Sequence, residues 1–347
     1  MLRRLVIGYV SLALVGSTVL AESPTESIQT SAARFNNLYT LQIAQSGEVI
    51  LAESFNGARL DQPANIKSAS KSLMSALVGI AIERGVLEGT DQAIAPLLQD
   101  QLPANPDPRL QQITIGHLLS MQAGLERTSG RNYGNWVSSG NWVQNALARP
   151  FEAQPGGRMQ YSTGSTHLLS AILARETGQP TDELANEWLA PAGIRVVSWL
   201  RDPQGIPLGG NQVSMTPASL LAFGELYRRG GQAADGTQVL PSQWIDASWQ
   251  RYTRSRYTGD GYGYGWFLRD FDGYDGYYGW GYGGQMVYVL PQLALTIAIT
   301  SNPNTPAGRS GYRGQLHRLV EREIVPLAEQ RLARLDANVM VAAKEVE

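Results

Sequence analysis

The chain has 347 residues, 43% of them hydrophobic and 17% charged, enough to bury a large core and too apolar for a disordered protein. Its 28 basic and 30 acidic residues leave a net charge of -2 without a basic cluster, which argues against nucleic-acid binding. There is no cysteine, so disulfides, a thiol nucleophile, thiolate metal sites and a lipidated N-terminal cysteine are excluded.

Arg3 and Arg4, the apolar run Leu5 to Leu20 and the small-residue pattern ending at Ala21 predict an export signal over residues 1–21. The competing reading is a retained membrane anchor, for which sixteen apolar residues are short and no basic stop follows. Residues 22–347 are expected as one domain, periplasmic or secreted, with no other membrane segment. Alternation over Leu38 to Ile43 and Glu48 to Phe55, around Ser46-Gly47, predicts a β-hairpin. A helix follows from about Ser68 to Glu83, with Leu73, Leu77 and Ile80 on one face and Gly85 as its stop. Being apolar or small all round, it is expected to be buried centrally.

From about Leu97 to Trp199, short helical stretches separated by Pro/Gly turns predict an all-helical lobe. A helix bearing Leu220, Phe223, Leu226 and Tyr227 comes next, then a Gly/Tyr-rich segment, with Tyr277, Tyr278, Trp280 and Tyr282 read as lying in Gly-rich loops. Tyr264 to Leu268, Gln285 to Leu290 and Leu295 to Thr300 predict strands, and Tyr312 to Leu327 a closing amphipathic helix. Strands at both ends with helices between them predict an α+β fold. One antiparallel sheet is built from both ends of the chain, with flanking helices and an inserted helical lobe.

The chain has three lysines, and two of them, Lys67 and Lys71, bracket Ser68. Arginine stays charged in proteins, whereas a desolvated lysine can lose its proton. Residues three apart share a helix face, so Lys71 can reach the Ser68 hydroxyl and act as its general base. The helix N-terminus favours an oxyanion near Ser68, and burial disfavours a charged Lys71. Lys67 is at most a neighbouring charge that helps keep Lys71 neutral. Alone, a Ser-x-x-Lys spacing is only moderately specific. The histidines His117, His167 and His317 form no His-x-x-x-His pair and lie in apolar helical stretches, which points to structural roles. A Gly-x-Ser-x-Gly elbow is absent.

Ile66-Lys-Ser-Ala-Ser-Lys-Ser-Leu-Met-Ser-Ala-Leu-Val-Gly79 resembles the active-site segment of serine β-lactamase-like proteins. Further segments match in order: Ile113 to Leu125, Pro155-Gly-Gly-Arg-Met-Gln-Tyr-Ser-Thr-Gly164, Leu208-Gly-Gly210, Ser214 to Leu220, Tyr262 to Trp266 and Gly281-Tyr-Gly-Gly-Gln285. The resemblance covers about residues 40 to 325. It is closest to the class C β-lactamase, D-alanyl-D-alanine carboxypeptidase and esterase branch that includes nylon-oligomer hydrolases. It implies the β-lactamase/transpeptidase-like fold and an acylated Ser68. Lys71 and Tyr161 would be general bases, the tyrosine a phenol of lowered pKa, and no metal or organic cofactor is implied. The backbone N–H groups of Ser68 and Gln285 would form the oxyanion hole.

Tyr282-Gly283-Gly284 stands where that branch carries Lys-Thr-Gly, and Thr163 stands for the Asn of Tyr-x-Asn. With that cation gone, a neutral ester or small amide fits better than a β-lactam. Tyr282, Gly283, Gly284, Thr163 and Trp280 are the expected substrate contacts. Trp266 is expected in the core, while Tyr277, Tyr278, Trp280 and Tyr282 either pack turns or wall an apolar cleft. The expectation is a monomeric exported serine hydrolase acting on a small ester or amide. Its rivals are a D-alanyl-D-alanine carboxypeptidase or β-lactamase, and a catalytically silent penicillin-binding-like sensor.

Overall fold

Leu38–Gln45 (β1) and Glu48–Ser54 (β2) pair antiparallel about Ser46 and Gly47, whose φ values of 52° and 89° give the turn that matches strand twist. The structure, a computed structural model, describes residues 24–308 and 311–344; the expected export signal lies outside the described residues. Short strands follow at Ala64–Asn65 (β3), Ser198–Trp199 (β4) and Val213–Met215 (β5), which form a small separate sheet in the order β3-β5-β4. The remaining strands are Thr253–Arg254 (β6), Gly261–Tyr262 (β7), Phe267–Phe271 (β8), Tyr274–Gly281 (β9), Gln285–Leu290 (β10) and Leu295–Ser301 (β11). With β1 and β2 they make one eight-stranded sheet, β2-β1-β11-β10-β9-β8-β7-β6. Leu41 faces Ile299 and Ile43 faces Ile297, so both ends of the chain complete it, as expected.

Every residue of β10 and β11 is buried, because helices cover both faces of the sheet. Val287, Val289 and Ala298 point to one side, where Ser70–Glu83 (α2) and Pro217–Arg228 pack with the helical lobe. Met286, Tyr288, Ile297 and Ile299 point to the other, against Pro24–Ala32 (α1) and the C-terminal helices. Those run as Tyr312–Leu319, a π-helical turn at Val320–Ile324, and Val325–Lys344. α2 is buried without interruption from Ser70 to Ala81, as its composition demands. It is preceded by a 3-10 turn, Lys67–Ala69, so Ser68 sits two residues ahead of the regular helix where the sequence placed it inside.

Two expectations are corrected. The strand expected over Tyr264 to Leu268 begins only at Phe267. The segment read as a Gly/Tyr-rich loop is the eight-residue strand β9. Its alternation is hidden because two positions on the face toward α2, Gly279 and Gly281, have no room for side chains. A Cβ on Gly279 would lie 2.9 Å from Ser72 Oγ, and one on Gly281 2.1 Å from the carbonyl oxygen of Ile66.

Candidate active site

The 3-10 turn presents Ser68 at the surface of the cleft while Lys71, one turn on, is only 1% exposed. Lys71 Nζ lies 3.2 Å from Ser68 Oγ, 3.3 Å from Thr163 Oγ1 and 2.6 Å from the carbonyl oxygen of Gly210. Its neighbours in this cage are neutral oxygens, so nothing offsets the loss of water around the ammonium. Burial lowers its pKa from 10.5 to about 7. A neutral amine then donates to Gly210 and Thr163 and keeps its lone pair for the Ser68 hydroxyl. Lys67 does not take the part expected of it. Its Nζ donates to Gln212 Oε1 at 3.0 Å, and burial is the cause of the shift at Lys71.

Three segments build the cage. Thr163–Thr177 (α3) starts at Thr163, whose Oγ1 is 3.0 Å from Ser129 Oγ and whose backbone N–H donates to that same oxygen at 2.8 Å. Gly164 N–H donates to Thr128 Oγ1 at 2.7 Å, and Thr128 N–H to Ser162 Oγ at 3.0 Å. These bonds lace residues 128–129 to the start of α3 and fix Tyr161 just ahead of it. The third segment is the turn after β4. Asp202 accepts from the N–H groups of Gln204 and Ile206, and its other oxygen meets His167 Nε2 at 3.0 Å in a fully buried pair. Thr166 Oγ1 then donates to Gly209 O, which leaves the next carbonyl, that of Gly210, aimed at Lys71. Gly210 has φ +77°, and a Cβ there would lie 2.7 Å from Lys71 Cγ. Only glycine satisfies both conditions.

Tyr161 completes the group. Its ring centroid is 5.2 Å from Lys71 Nζ, it packs against Tyr262 and Phe267, and the Ser68 side chain is the polar neighbour of its hydroxyl. The lowered phenol pKa expected from the sequence is reversed. Burial pushes Tyr161 well above the usual range, and the neighbouring Ser68 side chain only partly opposes this. At neutral pH, Tyr161 therefore holds its proton and is placed to donate it.

Ser68, Lys71, Tyr161 and Thr163 thus come together, while the third-motif residues divide. Tyr282 is 51% exposed at the β9–β10 hairpin tip. Gly283 and Gly284 make the turn with φ 90° and 98°, pressed on Asn302 O and the Tyr312 ring, so their missing side chains serve the fold. Gln285 opens β10 opposite Gly281, its side chain exchanging hydrogen bonds with the backbone of Ser301. The strand alongside the Ser68 turn is β9. Trp280 is half-buried there, its ring 5.9 Å from Phe267 and beneath the Arg313 guanidinium. β8 ends opposite Tyr278, which leaves the β9 edge open at Trp280. Gly281 turns its carbonyl toward Gly284, so strand alternation turns the Trp280 N–H the other way, to the open edge.

The histidines are structural in the forms seen: His117 closes a capping box with Thr114, His167 pairs with Asp202, and His317 meets Tyr288 at 3.2 Å. Gly210, Ser129 and Asp202 were given no role from the sequence. A family model described as Beta-lactamase matches residues 39–322. Among solved structures, one described as a 6-aminohexanoate-dimer hydrolase from Bacillus anthracis is 18% identical at TM-score 0.68, over 86% of this chain and 80% of that one. The octameric penicillin-binding protein homologue from Pyrococcus abyssi is 19% identical at TM-score 0.66, over 86% and 78%. EstCE1, a hydrolase with promiscuous acyltransferase activity, is 19% identical at TM-score 0.66, over 85% and 98%. At these identities the likeness is one of fold.

Proposed function

The chain belongs to the Beta-lactamase family, and from that premise we propose that it hydrolyses a small ester or amide through an acyl-enzyme on Ser68. The observation that carries this reading is the cage around Lys71, which supplies an unprotonated amine 3.2 Å from the Ser68 hydroxyl near neutral pH. Lys71 takes the Ser68 proton as Oγ bonds to the substrate carbonyl carbon. The oxyanion lies between the N–H groups of Ser68 and Trp280; the latter replaces Gln285, whose place is in the β9–β10 ladder. Tyr161 donates its proton to the departing oxygen or nitrogen, the bond to the leaving group breaks, and the proton on Lys71 restores the phenol. Water then adds to the acyl carbon, gives a proton to the same pair, and releases the acid with Ser68 regenerated. Tyr161 is thus the acid of the acylation step where the resemblance implied a base.

An exposed Tyr282 in place of a lysine supports esters and amides over β-lactams. The ester-active and amide-active titles among the structural neighbours point the same way. Export by the signal at 1–21 belongs to this reading, and N-terminal mass of the secreted protein should begin at Glu22. A fluorophosphonate probe followed by intact mass tests the chemistry. One adduct is expected on the wild type and none on Ser68→Ala. An unlabelled wild type, or equal labelling of the variant, removes the hydrolase assignment.

A further inference from the structure

Lys67, the residue before the nucleophile, has no part in the proton transfers, and its placement gives it another. Inside a helix it would stand one turn before Lys71 on the same face, where like charges repel. Its backbone instead takes φ 50°, in the left-handed region that side chains rarely adopt. The lysine is thereby swung out of the Lys71 cage and onto Gln212, which is itself left-handed at φ 55°. Backbone outliers of this kind gather where a site has to be held in one shape.

The hold is a network of carboxamides. Lys67 N–H donates to Asn65 Oδ1 at 3.0 Å, and Gln212 Oε1 accepts from Asn65 Nδ2 at 2.6 Å and from Lys67 Nζ at 3.0 Å. Next to Gln212, Asn211 Nδ2 donates to the Tyr133 hydroxyl at 3.2 Å. Every acceptor in the group is neutral, and Lys67 makes no ion pair among the described residues. An ammonium has three N–H bonds and Gln212 takes one, while the Tyr133 hydroxyl keeps its own proton to give. These side chains are half-buried, so an uncompensated charge and neutral donors border the cleft next to Ser68.

This wall lies on the far side of Ser68 from Tyr161. Asn65 borders a hollow shared with Thr40 of β1 and Thr300 of β11, whereas Tyr161 packs on Tyr262 of β7 and Phe267 of β8. In the sheet order those strands flank β9, whose Gly281 presses on the carbonyl of Ile66 just ahead of the Ser68 turn. The leaving group faces Tyr161, so the acid half of the substrate extends toward Lys67. We propose that this acid half carries a second carboxylate, bound by Lys67 with Tyr133 and Asn65 as neutral donors. The substrate class is then a half-ester or half-amide of a dicarboxylic acid. This rests on the hydrolase reading and narrows it: the neutral substrate expected from the sequence gains a charge on its acid half.

Binding and reaction are read apart with phenyl hydrogen glutarate and phenyl hydrogen adipate, each against its neutral methyl ester. In calorimetric titration of Ser68→Ala, the anion of at least one pair should bind about tenfold tighter, as one charge-assisted contact implies. That preference should shrink at about 0.5 M salt, fall toward one in Lys67→Met, and persist in Arg131→Gln/Arg256→Gln on the Tyr161 side. Equal binding within both pairs overturns the site, as does a preference that survives Lys67→Met. Phenol release by the wild type reads the reaction, and a kcat/KM ratio of about ten in favour of the anion is expected. A ratio of one or below in both pairs also overturns the site. No phenol from any of these esters, with the calorimetric preference intact, keeps Lys67 as an anion site and overturns the hydrolase reading.

Discussion

Tyr161 stands between two kinds of cation, and their difference explains how this cleft is arranged. On one side, Lys71 is sealed from water among neutral oxygens, and burial brings it to about 7. On the other, Arg131, Arg158 and Arg256 are exposed around a cavity and stay charged at any working pH. The same formal charge behaves in opposite ways: the buried one can be lost near neutral pH, the exposed ones cannot. In a chain with only three lysines, one of them stands at the position where the proposed mechanism requires proton exchange.

Breaking the contrast at its centre has the largest effect. Lys71→Arg installs on the buried side the cation that cannot deprotonate, and kcat for an aryl ester should fall about a thousandfold, read against wild type at pH 8. Retention of a tenth of the activity would remove Lys71 as the base. The wild-type pH profile sharpens the same point: kcat/KM should rise with a midpoint at pH about 7 as Lys71 loses its proton. Stability follows with a fixed sign. The folded pKa lies below the unfolded 10.5, so the native state binds fewer protons between about 7 and 10.5 and gains stability as pH rises through that window. Denaturant unfolding of Lys71→Met should lack that rise.

Tyr161→Phe keeps the wall between the two regions and deletes the donated proton. A loss of about a hundredfold is expected on amides and clearly less on p-nitrophenyl esters, whose leaving groups need no acid. Equal losses on both would contradict the acid role. Gly210→Ala pushes a methyl onto Lys71 Cγ at a positive φ. About tenfold in kcat and a lower melting temperature are expected from circular dichroism and kinetics on one preparation. The smallest effect is that of Lys67→Gln on the pH profile of a neutral ester. With its charge directed to Gln212, the midpoint of the pH profile should stay where it is; a clear shift would restore the role expected from the sequence.

The grouping of Ser68, Lys71 and Tyr161 was legible because each is a side chain in an ordered motif. The sheet closed by both chain ends was legible from the alternation in Leu38 to Ile43 and Leu295 to Thr300. Gly210 was not, since a backbone carbonyl that cages a lysine leaves no trace in residue type beyond a glycine. β9 was missed because glycines at 279 and 281 erase the period of two wherever the helix presses on the strand. The direction of the Tyr161 shift depends on how completely Tyr262 and Phe267 enclose the ring, which is a property of packing. The arginines at 127, 131, 158 and 256 belong to no motif and meet only in the folded chain.

The pairing of β1 with β11 sets the order in which this molecule assembles. Leu38 to Gln45 finds its inner partner at Leu295 to Ser301, so residues 46 to 294 lie between the two strands. Until the last third of the sequence is available, β1 has only β2, and a lone hairpin is marginal in water. Closure of so long a loop makes folding slow and late. A ribosome or an export channel that releases the chain from its N-terminus therefore handles a polypeptide without its central sheet almost to the end. Fragments stopped before residue 295 should be proteolysed quickly, however intact their Ser68 and Lys71.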